Sequence, residues 1–121
     1  MVVEVPDIET VDVAGRGSEL RHHRSLVDGA NVNFVSRRPD GEFTYRTFER
    51  GVEAETLACG TGAVATAIML SAWGESGSET SLWTRSLLPL TVRLERDAGA
   101  WLASLRGEGR IVFEGRIRDL D

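Results

Sequence analysis

The chain has 121 residues, 41% of them apolar and 27% charged, with one cysteine and a formal net charge of −5. That composition excludes a disordered or low-complexity chain, an internal disulfide framework and a cysteine-built zinc site. It also argues against nucleic acid as a partner, because phosphate binding needs a basic face. All 14 cations are arginine, so Schiff-base and P-loop lysine chemistry is excluded too.

In chain order, Val2-Val3-Glu4-Val5 reads as a strand entered halfway, and Ile8 to Val13 as a second extended run after the Pro6-Asp7 break. Gly15-Arg16-Gly17 reads as a turn, and Ser18 as the cap of a short helix over Glu19 to Leu26, ended by Asp28-Gly29. Asn31 to Ser36 alternates polar and apolar, as a half-buried strand does. Arg38-Pro39-Asp40-Gly41 is a turn signal, and Glu42 to Phe48 alternates again with Phe43, Tyr45 and Thr47 on one side, so the pair predicts a hairpin. Residues 49–58 read as irregular and charged. Gly60 to Trp73 predicts one long helix, stopped by Gly74. It is apolar all round, which in a soluble domain means a central helix wrapped by other elements. Strands follow over Leu90 to Glu95, Ala100 to Leu105 and Arg110 to Ile117. The expected fold is a single α+β domain over residues 1–121, a mixed, mainly antiparallel sheet curled around one buried helix.

No leader is expected at the N-terminus, which lacks a basic region and a long apolar run. The longest uncharged stretch, Thr56 to Gly74, is too rich in Thr, Ser and Gly for hydrocarbon. The expectation is a cytoplasmic protein without membrane contact.

Chemistry concentrates in Glu49-Arg50-Gly51 and Ala58-Cys59-Gly60-Thr61-Gly62. The only cysteine stands where the long helix begins. There, unpaired N–H groups and the positive helix end favour thiolate over thiol. Gly60 and Gly62 clear side chains away, so a carboxylate can approach the bare N–H groups, with the Thr61 hydroxyl as a further donor. Arg50 can fork onto a carboxylate and Glu49 can hold an ammonium. The set suits an α-amino acid, with its anion at the helix end and an acid–base thiol over Cα. A lone cysteine is more often buried packing, but the helix start and flanking glycines outweigh that reading. Gly60-Thr61-Gly62-Ala63-Val64-Ala65 also fits a dinucleotide fingerprint, yet no hydrophobic strand runs into it. His22-His23 has no third ligand at metal spacing and reads as solvated. Trp73, Trp83 and Trp101 read as packing, and Asn31 and Asn33 as satisfying backbone groups at a strand start.

Glu49-Arg50-Gly51 followed by Glu55-Thr56-Leu57-Ala58-Cys59-Gly60-Thr61-Gly62-Ala63 resembles the second catalytic-cysteine motif of the diaminopimelate epimerases. Asp28 to Val35 resembles that family's strand carrying a substrate-binding Asn, Leu20 to His23 the short helix before it, and Val112-Phe113-Glu114-Gly115 its closing strand. The similarity covers the whole chain but only the C-terminal half of the family. It implies the diaminopimelate-epimerase-like fold and interconversion of LL- and meso-diaminopimelate, a step of lysine and peptidoglycan-precursor synthesis, with neither cofactor nor metal. In that family two cysteines flank the substrate Cα; one removes its proton and the other returns one from the opposite face. Cys59 matches the second of them, Gly60 and Thr61 the helix end that binds the α-carboxylate, and Asn31, Glu49 and Arg50 further substrate-binding positions. The first cysteine belongs to an N-terminal half that this sequence does not contain. The expected partners are therefore the amino-acid substrate and either a second copy of the chain or that other half. The alternatives are an incomplete remnant that binds an amino acid or a partner chain, and a homodimeric isomerase of the same fold with another substrate. Proline-racemase-like and PhzF-like enzymes fit the two motifs less well.

Overall fold

A computed structural model describes residues 1–118. Seven strands form one sheet: β1 (Val2–Glu4), β2 (Val32–Arg37), β3 (Phe43–Glu49), β4 (Ala54–Thr56), β5 (Glu79–Trp83), β6 (Pro89–Asp97) and β7 (Ala100–Arg106). Two helices, α1 (Val13–Arg21) and α2 (Gly60–Ala72), pack on its opposite faces. The order is β1-β2-β3-β5-β6-β7. β1 and β2 are parallel, as are β3 and β5, and the other pairs are antiparallel. One edge of β3 is shared: its start pairs with β5 through Phe43 and Thr44, its end with β4 through Thr47 to Glu49. The mixed, mainly antiparallel α+β architecture expected above is the one observed.

Period-two alternation in the β2–β3 hairpin sets both cores. Val35, Phe43 and Tyr45 face α2, where they pack with Ala63, Ala67, Leu70, Leu82, Val92 and Leu94. Val32, Phe34 and Phe48 face the other way and pack with Ile8 and Val13. β2 is therefore buried on both faces up to Ser36, not half-buried as its alternation suggested; Asn33 and Ser36, its uncharged polar residues, are covered as well, and only Arg37 at its end is exposed.

The first 22 residues differ most from expectation. Ile8 to Val13 is not extended. Asp7 caps a short 3-10 turn over Ile8–Thr10, its carboxylate accepting from the Glu9 N–H at 3.0 Å. Asp12, not Ser18, caps the helix, accepting from the Gly15 N–H at 2.9 Å, so α1 starts six residues earlier and ends at Arg21. Gly15 and Gly17 lie inside it. A Cβ on Gly17 would stand 2.5 Å from the Cβ of Phe48, so glycine is present for helix–sheet contact and not for a turn. Arg46 ties this layer to the sheet. It forks onto Glu55 at 2.6 and 2.7 Å and donates to the carbonyl of Ile8 at 3.0 Å. The Glu55 carboxylate raises the already high pKa of that guanidinium further.

Three further expectations are corrected. Residues 49–58 are not wholly irregular, since β4 forms against the end of β3. Gly60 to Trp73 is helical to Ala72, but the sheet embraces one side of it. Ala63, Thr66, Ala67 and Leu70 are buried, while Val64, Ala65, Ile68 and Met69 are half-buried. Arg110 to Ile117 forms no strand: among the described residues it pairs with nothing, and Ile111, Val112, Phe113 and Ile117 are 83–91% exposed. The strand β5, which the sequence reading passed over, joins β3 to β6. Among the described residues no helix is long and apolar enough to cross a membrane, and no group of His, Cys, Asp and Glu is arranged to hold a metal.

Helix α2 approaches β2 most closely at Gly62, where an added Cβ would lie 2.3 Å from the Asn33 side-chain oxygen. That oxygen already accepts from the Thr47 hydroxyl at 2.7 Å. Gly62→Ala is expected to cost about 1–3 kcal/mol through overpacking, read as a lowered urea midpoint. Gly77→Ala, which meets nothing within 4 Å, serves as the neutral control. Glu55→Gln leaves the half-buried Arg46 guanidinium short of its charged partner and is expected to cost about 1–3 kcal/mol in the same assay.

Candidate active site

The site is built on the first turn of α2. Cys59 is its N-cap, with extended backbone at φ −137° and ψ 109°, and is 7% exposed. Its Sγ accepts from the Gly62 N–H at 3.4 Å and lies 3.5 Å from the Thr61 hydroxyl. A helix start leaves its first N–H groups without intrahelical partners. Here the Cys59 N–H is taken by the Tyr45 hydroxyl at 3.2 Å and the Gly62 N–H by the thiol. The N–H groups of Gly60 and Thr61 have no partner among the described residues. They stand side by side at the positive end of the helix.

Asn31, just before β2, closes one side. Its amide nitrogen lies 3.9 Å from Sγ, and its oxygen accepts from the Arg50 N–H at 2.7 Å. The part of Arg50 that meets this cluster is therefore its backbone. Its guanidinium donates to the Asp28 carbonyl at 3.0 Å and is exposed. Glu49 ends β3 opposite Ala54, and alternation puts it on the α2 side with Tyr45 and Thr47. The structure thus brings Asn31, Cys59, Gly60, Thr61 and the Arg50 backbone together, and places Glu49 beside them by register alone.

The Arg50 loop is shaped by Glu53, which sits in the left-handed region at φ 58°. Its carboxylate accepts from the Gly51 N–H and from Arg21 at 3.0 Å, and these contacts, the Gly51 N–H foremost, hold its pKa below the usual carboxylate range. The end of α1 thereby braces the loop that carries Arg50.

An open apolar hollow of about 360 Å³ adjoins the helix start, lined by Gly60, Thr61, Val64 and Leu105. Leu57, two residues before the thiol, is 68% exposed. A second hollow, of about 310 Å³, opens elsewhere between Glu42, Glu75 and Glu79. Its carboxylates are already engaged, by Trp83, Arg37 and Arg93 respectively, which leaves little charge for a ligand.

Sequence reasoning missed two contributors. Alternation places Tyr45 on the β3 face that looks at α2, but nothing local shows that its hydroxyl meets Cys59. Asn33 reads from the sequence as satisfying backbone groups. Besides donating to the Met1 carbonyl at 3.0 Å, it pairs with Thr47 to form the floor under Gly62. The histidines stay apart from the site. His22 caps the end of α1 and His23 pairs with Ser25.

The family model described as diaminopimelate epimerase matches residues 1–113. The chain is 53% identical to the diaminopimelate epimerase of Gemmatimonas aurantiaca, across 99% of this chain and 47% of that protein. It is 41% identical to that of Aquifex aeolicus, across 98% of this chain and 42% of that protein. The chain spans about half the length of the curated relatives it matches. Among solved structures, a Bacillus anthracis phenazine biosynthesis protein of the PhzF family superimposes with a TM-score of 0.62 at 18% identity, over 87% of this chain and 34% of that one, a likeness of fold alone. With the family model matched over residues 1–113, the chain belongs to the diaminopimelate epimerase family.

Proposed function

We propose that the chain supplies one acid–base cysteine and half of the substrate site of a cofactor-independent epimerase that interconverts LL- and meso-diaminopimelate. The observation that carries this reading is the placing of Cys59 in one helix turn with two N–H groups, those of Gly60 and Thr61, that have no partner among the described residues. An α-carboxylate seated on those N–H groups brings its Cα beside Sγ. The thiolate takes the Cα proton; the electron pair left behind spreads toward the carboxylate, where the N–H donors stabilise the growing charge. A thiol on the opposite face returns a proton and inverts the centre. Asn31 and Arg50 define one wall of the site, and Glu49 is placed to meet the ammonium.

The second thiol has to come from outside this chain, because Cys59 is its only cysteine. The apolar hollow and the exposed Leu57 beside the site support a partner lying over this face, either a second copy or the other half of a full-length enzyme. A free catalytic thiol suits a reducing compartment, and we place the protein in the cytoplasm on that ground.

The test is loss of the α-proton signal of diaminopimelate in D2O, followed by NMR with LL- and meso-isomers separately. One thiol reaches one face of Cα, so Cys59-dependent exchange at the reacting centre is expected from a single isomer if each site holds one chain. Exchange from both is expected if a second copy supplies the opposing thiol. Cys59→Ala is expected to lower the rate by about 10²–10⁴-fold, the usual contribution of a positioned acid–base group. Exchange that survives this substitution contradicts the reading, as does a Cys59 that resists alkylation in the folded wild-type chain.

A further inference from the structure

The reaction outlined above gives Tyr45 nothing to do, yet its hydroxyl touches the reacting residue twice. It donates to the Cys59 carbonyl at 2.9 Å and accepts from the Cys59 N–H at 3.2 Å. Tyr45 is 2% exposed and reaches from the middle of β3 to the start of α2. The same carbonyl accepts from the Ala63 N–H at 2.9 Å, closing the first turn of the helix. One hydroxyl therefore bridges the N–H and C=O of a single residue and pins the peptide planes on both sides of it. With those planes fixed, the direction of the Cys59 Cα–Cβ bond is fixed, and rotation about it is the freedom that remains. Sγ is then held where it meets the Gly62 N–H.

We propose that Tyr45 is a positioning residue for the thiol, locking the Cys59 backbone so that Sγ stays against the Gly62 N–H and in reach of a Cα bound at Gly60 and Thr61. The proposal rests on reading Cys59 as the acid–base group. Phenylalanine would fill the same space and make neither bond. The hydroxyl is suited to the task. Burial pushes its pKa above the usual phenol value, so it remains a donor throughout the range in which thiols titrate. A tyrosine present only for packing would make no such paired contact, since the ring alone completes the core formed by Val35, Phe43 and Leu82.

The experiment is the rate of iodoacetamide alkylation of Cys59 against pH, for wild type, Tyr45→Phe and Phe43→Leu. Tyr45→Phe is expected to move the profile to higher pH and to slow alkylation near neutrality about tenfold, the effect of displacement by one pH unit. Phe43→Leu, a core change with no hydrogen bond to Cys59, is expected to lower the melting temperature and leave the profile in place. A Tyr45→Phe profile that superimposes on wild type overturns the positioning role while leaving the thiol reading intact. A wild-type thiol that fails to react in the folded protein overturns both. Should Tyr45→Phe not fold, amide hydrogen exchange of the wild type decides. The Cys59 N–H is expected to exchange much more slowly than that of Gly60, and equal rates overturn the proposal.

Discussion

The structure turns on how the first turn of α2 distributes its N–H groups. A helix start exposes donors that intrahelical bonding cannot satisfy, and each buried one needs a partner. This chain assigns the Cys59 N–H to Tyr45 and the Gly62 N–H to the thiol, and leaves those of Gly60 and Thr61 without a partner among the described residues. The same assignment makes Cys59 both the cap of the helix and the group best placed for chemistry. A serine or aspartate would cap the helix at least as well. The proposed acid–base role accounts for a sulfur at this position, because a thiol exchanges protons nearer neutrality than those residues do.

The rest of the fold serves to hold that turn still. Gly62 lets α2 settle onto the Asn33–Thr47 pair, and Leu105 at the end of β7 covers Gly60 from the other side. Asn31 links the thiol to the Arg50 backbone, and Glu53 anchors the Arg50 loop to Arg21 on α1. The Arg46–Glu55 fork fastens β4, and with it the approach to Cys59, to the layer on the opposite face of the sheet. These contacts join residues far apart in the chain, so the turn is set by tertiary structure as much as by its own sequence.

That division explains what could be read from the residues alone. The hairpin of β2 and β3, the helix α2 and the Cys59 start were legible because alternation, turn chemistry and capping are local. The start of α1 was not, since Gly15 and Gly17 look like a turn until Phe48 is known to press against the helix. β5 was missed because only Thr80 and Leu82 of its five residues are buried and its support comes from pairing with β3 and β6. Arg110 to Ile117 has the apolar content of a strand, but a strand needs a partner, and none is present among the described residues. At the site, Cys59, Gly60 and Thr61 stand out by the helix start and its glycines, Glu49 and Arg50 by their fit to an ammonium and a carboxylate, and only Asn31 comes with the family resemblance. Tyr45 was hidden because its partner lies fourteen residues away across a helix–sheet contact.

The proposed chemistry depends on a carboxylate bound at Gly60 and Thr61, beside Cys59. Backbone amide signals followed by NMR during titration with meso-diaminopimelate test it most directly. The Gly60 and Thr61 amides are expected to shift most, with Asn31 and Arg50 following, while the residues around Glu42, Glu75 and Glu79 stay unmoved. Shifts confined to that second hollow, or a titration that leaves Gly60 and Thr61 unchanged, would contradict it.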